Sequence, residues 1–194
     1  MNAHEMILSI QIQWAKNHGI ELIGSKGDKG RKAYTKTLDQ NLFEPLVERT
    51  RDQFSKGDGN ETQGTLESPA KMQALHSSSA LAVNIFQYWK KRGLSNEIAA
   101  ACGFCNKGSK LISKIEFERK FPIKTKFIVP PNIDVVLSSD EPEKRKLFAI
   151  ECKFTEAYSS MKHVGLKEKY LLVEDLWIEF PNLHHLATMI NPVD

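Results

Sequence analysis

Apolar residues recur along this chain with two periods, and the change of period divides it. Up to about residue 106 the spacing is helical. Met6, Ile10 and Trp14, with Ile7 beside them, mark a helix over residues 3–18 that Gly19 would stop. Leu38, Leu42, Phe43, Leu46, Val47 and Phe54 predict a second helix over 38–54. Leu81, Ile85, Tyr88 and Trp89 share one face of a third helix, capped by one of Ser77, Ser78 and Ser79 and ended by Gly93. A short helix follows from Leu94 to Gly103, with Ser95 as its expected N-cap. Two polar, glycine-rich stretches separate these elements. Residues 24–32 are basic and read as a solvated linker, and no strand is expected before them. They lack the Gly-Lys-Ser/Thr ending of a phosphate-binding loop. Residues 56–64 read as a flexible boundary.

From Lys107 the period shortens. Ile115 to Phe121 alternates apolar and polar positions, as a strand with one dry face does. Pro131 to Leu137 and Phe148 to Glu156 are two further apolar runs bounded by turn-forming residues. The order is therefore helix, then three strands. Helical spacing returns over 168–178 and 183–190. This divides the chain into an N-terminal helical and loop extension, 1–68, and a mixed α/β domain, 69–194.

Composition narrows the class. With 41% hydrophobic and 26% charged residues among 194, the chain can bury a core. A net charge of +3 permits a nucleic-acid partner without requiring one. Three cysteines, Cys102, Cys105 and Cys152, are an odd count, which argues against a disulfide framework and for a reducing compartment. Cys102 and Cys105 have CxxC spacing, but no second Cys/His pair stands near them and a helix precedes them, so they read as helix-end residues. The serines after His76 read as a capping turn rather than a nucleophile site. The N-terminus lacks the pattern of a signal peptide and no apolar run approaches a membrane span, so a cytoplasmic protein with no membrane partner is expected.

Charge inside the last two strands changes the picture most. Asp134 lies among Ile133, Val135 and Val136. Glu151 and Lys153 lie among Phe148, Ile150 and Phe154. Burying ionised groups is costly unless they are paired or hold a metal. If the two runs form a hairpin about residues 141–144, paired residue numbers sum to roughly 285 and Asp134 faces Glu151. Residues two apart share a face, so Lys153 joins them, while Cys152 points to the packed side. Two carboxylates and an ammonium on one patch suit Mg²⁺, which takes hard oxygen ligands and keeps several waters.

Pro131, Asn132 and Asp134 followed by Glu151-Cys152-Lys153 resemble the PD-(D/E)xK nuclease superfamily. The resemblance covers residues 77–156. It implies a restriction-endonuclease-like αβββαβ core preceded by the helical extension. With 38 residues after Glu156 and no clear β-run among them, the last core elements are expected to be shortened. It further implies Asp134, Glu151 and Lys153 as catalytic residues. Asp134, Glu151 and the Cys152 carbonyl would bind Mg²⁺, with Mn²⁺ as a substitute. The superfamily's extra acid would be Glu118 or Glu97, with Glu156 close by. DNA is the expected substrate, with Lys107, Lys110, Lys114, Lys120, Lys124 and Lys126 as candidate phosphate contacts, and a homodimer is compatible with this reading. The alternative is a non-catalytic DNA-binding protein, either an inactive fold of this kind or a helix-turn-helix around residues 93–106.

Overall fold

A computed structural model describes residues 2–57, 59–122, 130–140, 146–155, 166 and 168–190. Helix α1 (Ala3–Asn17) begins at Asn2, whose side chain accepts from Glu5 N while the Glu5 carboxylate accepts from Asn2 N. Gly19, at φ +67°, ends it as expected. The buried positions of α1 are Leu8 and Ala15. The stripe picked out by spacing, Met6, Ile10 and Trp14, is instead more than half exposed.

Residues 24–32 are not a linker. They form the turn of an antiparallel hairpin of β1 (Leu22–Gly24) and β2 (Lys32–Thr35). Three- and four-residue strands carry too little alternation to stand out by period. The helix expected over 38–54 is broken as well. Pro45 has no N–H and disfavours a helical residue before it. A 3-10 turn at Leu38–Asn41 and a short α2 (Glu48–Ser55) replace it.

Helix α3 (Ser78–Lys91) starts where Ser77 Oγ accepts from Ala80 N at 3.1 Å and ends before Gly93, at φ +67°. Helix α4 (Ser95–Ala101) has Leu94, not Ser95, at its N-cap position. The polar anchor there is Asn96, which donates to Ile112 O at 3.0 Å and accepts from Ile112 N at 2.7 Å. That pair ties the helical half to the sheet that follows.

The sheet is an antiparallel meander, β3 (Lys114–Lys120), β4 (Asn132–Ser138) and β5 (Leu147–Ile150), in that spatial order. One face packs on α2 and α3 through Phe54, Val83, Phe86, Phe117, Val135 and Leu137. The Phe54 and Phe117 rings lie 5.7 Å apart. The expected helix-then-three-strand order is present.

The chain divides into two units, Met1–Tyr158 and Ser159–Asp194. The boundary read at 68/69 runs inside the first of them, where α2 and β3 share the Phe54–Phe117 contact. The second unit carries α5 (Glu168–Leu171), α6 (Glu174–Trp177) and α7 (Pro181–Ile190). In it the Trp177 ring stacks on His184, and Trp177 Nε1 donates to Tyr170 O at 2.9 Å. Among the described residues no fourth strand follows β5 in this sheet, and no helix is long and apolar enough to cross a membrane.

Candidate active site: an acid row across the sheet

Strands β4 and β5 pair as Val135 with Ile150, Val136 with Ala149 and Leu137 with Phe148, the register expected from the turn length. Continued by one residue past the last ladder pair, that register sets Asp134 across from Glu151. Strand β5 stops at Ile150, and the next contact is made by a side chain. Cys152 N donates to Asp134 Oδ2 at 2.7 Å. The carboxylate thus takes over the acceptor role of a ladder carbonyl and holds the Glu151–Lys153 segment beside β4. Cys152 packs against the core, as the alternation predicted. Burial, then the charge of Asp134, pushes its thiol up to about 11, so it is no nucleophile. Lys153 Nζ lies 3.1 Å from Glu151 Oε2, with both side chains about half exposed.

The third acid comes from β3. Phe117 pairs with Val135 and Arg119 with Ile133, which leaves Glu118 across from Asp134. Glu118, Asp134 and Glu151 therefore form one row across three strands. Glu118 has φ +48°, a left-handed conformation that a non-glycine residue holds only at some cost. Asn132 Nδ2 donates to its Oε2 at 3.1 Å. Burial raises the Glu118 carboxyl most, and the charges of Asp134 and Glu61 raise it further, to about 7. Asp134 is also raised, first by burial. The Cys152 N–H opposes that shift, and the charge of Glu151 adds to it.

Glu61 is the residue that sequence reasoning missed. It sits in the stretch read as a flexible boundary. Here Glu61 O accepts from Met72 N and Asn60 O from Lys71 N, both at 3.0 Å. Its side chain is 13% exposed and pairs with Lys71 Nζ at 3.1 Å, while its charge still reaches Glu118 and Asp134. One acid in a polar loop carries no local signal, and only the fold brings it to the sheet.

Of the two candidates for the extra acid, the structure brings Glu118 to the row. Glu97 lies on α4 beside a depression lined by Asn96, Ala100, Ala101 and Lys107, and it is not among the groups that shift Asp134 or Glu118. Glu156, Lys124 and Lys126 lie outside the described residues. Lys114 is paired with Asp140 at 2.7 Å. Cys102 and Cys105 are free thiols. The helix-turn-helix expected around 93–106 is not formed, because no helix follows α4 before β3.

The row suits a cation in its chemistry. Burial, then the charge of neighbouring acids, raises the carboxyls of Glu118 and Asp134, and carboxylate oxygens are hard donors. Among the described residues no three His, Cys, Asp or Glu side chains already close on one point.

With this geometry in place, comparison with known families assigns the class. The chain matches, over residues 8–184, the model of the family REase-ARP, described as "Restriction Endonuclease associating with ARP", and it belongs to that family. It is thus a restriction-endonuclease-related protein of mixed α/β structure. Neither the curated proteins nor the solved structures yielded a match.

Proposed function

We propose that this protein is a nuclease of the PD-(D/E)xK kind that hydrolyses phosphodiester bonds of DNA with Mg²⁺, or Mn²⁺ in its place. The observation that carries the reading is the row of Glu118 on β3, Asp134 on β4 and Glu151 just past the end of β5, with Lys153 paired to its outer end. A sheet face decorated only for solubility would alternate opposite charges across strands, because like charges directly opposite destabilise the pairing. Three acids on one rung do the reverse.

Asp134 and Glu151, with the Cys152 carbonyl, would hold the ion, and Glu118 extends the same set. When bound, the ion would neutralise charge on the phosphate and make a water more acidic. Asp134 is held in place by the Cys152 N–H, so its carboxylate needs no reorganisation when substrate arrives. The ammonium of Lys153 is tethered at 3.1 Å to Glu151 and supplies positive charge where the scissile phosphate would meet the row. Glu118, titrating near 7, is able to hold or release a proton at neutral pH. The family description names ARP as the associate of these endonucleases, and we extend that pairing to this chain.

The test is cleavage of plasmid and of linear duplex DNA in Mg²⁺ and in Mn²⁺ by the wild type, Asp134→Asn and Lys153→Ala. Loss of about 100-fold or more in each variant is expected, from the usual effect of removing a charged group that acts in the transition state. Equal cutting by all three proteins would overturn the assignment. Metal-independent DNA binding by the wild type with no cutting in either metal would leave a non-catalytic DNA-binding protein.

A further inference from the structure

The β1–β2 turn carries a charge pattern that the acid row does not use. Between Lys26 and Lys32 lie four cations, Lys26, Lys29, Arg31 and Lys32, and one acid, Asp28. All four cations are exposed, and none forms an ion pair among the described residues. Asp28 is engaged elsewhere. Its carboxylate hydrogen-bonds toward Tyr34 and, after burial, is the main reason the Tyr34 phenol is raised. The turn therefore concentrates positive charge that the fold leaves uncompensated.

The turn is also rigidly built. Ser25 is buried, and its carbonyl accepts from Asp28 N at 3.1 Å and Gly30 N at 2.8 Å. Lys26 N donates to Glu67 O at 2.9 Å, and Arg31 N to Asp28 O at 3.0 Å. The backbones at Gly24 and Gly30 approach so closely that a Cβ on Gly24 would lie 2.5 Å from Gly30 O. Lys29 takes φ +53°, where glycine or asparagine is the less strained choice. Lys29 holds this conformation at some cost in stability. Ala33 and Thr35 of β2 are fully buried, which anchors the turn on the body of the protein.

We propose that this hairpin tip is a docking element for the phosphate backbone of duplex DNA. Four cations on a preformed turn meet anionic phosphates without the cost of ordering the backbone of a loop, and their contribution is read as counterion release. The tip offers no apolar side chain between Ser25 and Lys32 that would enter a bilayer, which argues against a membrane surface. The choice of DNA rests on the nuclease reading above.

The measurement is binding without catalysis. Fluorescence anisotropy with a labelled duplex of about 20 base pairs, in chelator, follows affinity from about 50 to 200 mM salt. Wild type is compared with Lys26→Gln/Lys29→Gln/Arg31→Gln/Lys32→Gln. Each lost phosphate contact removes about 0.9 from the slope of log K against log salt, so the quadruple variant should flatten it by about 2 to 4. If that variant fails to fold by circular dichroism, Lys29→Gly removes one charge and relieves the backbone. Its slope should fall by about 1. Unchanged slopes would overturn the proposal, as would no duplex binding by the wild type or stronger binding to vesicles of anionic lipid than to DNA. Tip-dependent binding with no cleavage would sink the nuclease reading alone. Cleavage with unchanged slopes would sink the hairpin proposal alone.

Discussion

Replacing Glu118 with glutamine should stabilise the metal-free protein at alkaline pH and flatten its dependence on pH. The Glu118 carboxyl titrates near 7 in the fold, against 4.5 when unperturbed. Between these values the native state keeps a proton that the unfolded chain has released. That contribution is complete below the unfolded pKa and is lost as pH rises through the folded one. Above pH 7 the native state must hold a half-buried carboxylate next to Asp134 and Glu61. Each pH unit between the two values is worth about 1.4 kcal/mol, so the full effect would be roughly 3.4 kcal/mol, and solvent screening of a half-exposed group reduces that to about 1–2 kcal/mol. For a chain of this size such a difference moves the melting temperature by roughly 2–8 °C. The assay is thermal or urea unfolding of wild type and Glu118→Gln at pH 5 and pH 8 in chelator. Wild type should lose stability between the two, and the variant should lose much less. A residual slope is expected from Asp134, whose carboxyl is also raised. Added Mg²⁺ or Mn²⁺ at pH 8 should raise the wild-type melting temperature in a concentration-dependent way, and the variant's by less. Identical pH slopes in the two proteins would refute the account of the row as a crowded site short of positive charge.

Three further outcomes follow from the same structure. Glu97→Gln should leave both the pH slope and the metal-dependent stabilisation unchanged, and a loss of either in parallel melts would return Glu97 to the site. Phe117→Ala should cost about 3–5 kcal/mol in urea unfolding, since Phe117 is 1% exposed and packs on Phe54. A cost below about 1 kcal/mol would mean that the α2–β3 contact is not part of the core. Asn96→Ala should cost about 1–3 kcal/mol, because it strands both the N–H and the carbonyl of Ile112. Hydrogen exchange at Ile112 should speed up in step.

Much of the fold was legible because local pattern encodes it. α1, α3 and the three sheet strands appear where period and capping residues placed them, except that β5 ends at Ile150, well short of the run to Glu156. The failures also have local causes. Pro45 broke a helix that spacing alone had extended through it. Strands β1 and β2 were too short to show alternation, so a structured hairpin read as a linker. On α1 the apolar residues spaced as a stripe stayed exposed, and Leu8 and Ala15 were buried, because packing on β2 and Leu75 selects a face that periodicity does not single out.

By itself the sequence determined the β4–β5 half of the row. A short turn between two apolar strands leaves few registers, and only one keeps the apolar residues on a common face. Asp134, Glu151 and Lys153, and the inward side of Cys152, followed from that constraint. Tertiary structure decided the rest. The stretch between β3 and β4, residues 121–131, is too long in sequence for its length to set the register, so only the paired sheet shows that Glu118 faces Asp134. Glu61 reaches the row across more than fifty residues of chain, held by backbone hydrogen bonds to Lys71 and Met72. Neighbours in sequence constrain one another through period and turn geometry. Groups far apart meet only where a packed core brings their elements together.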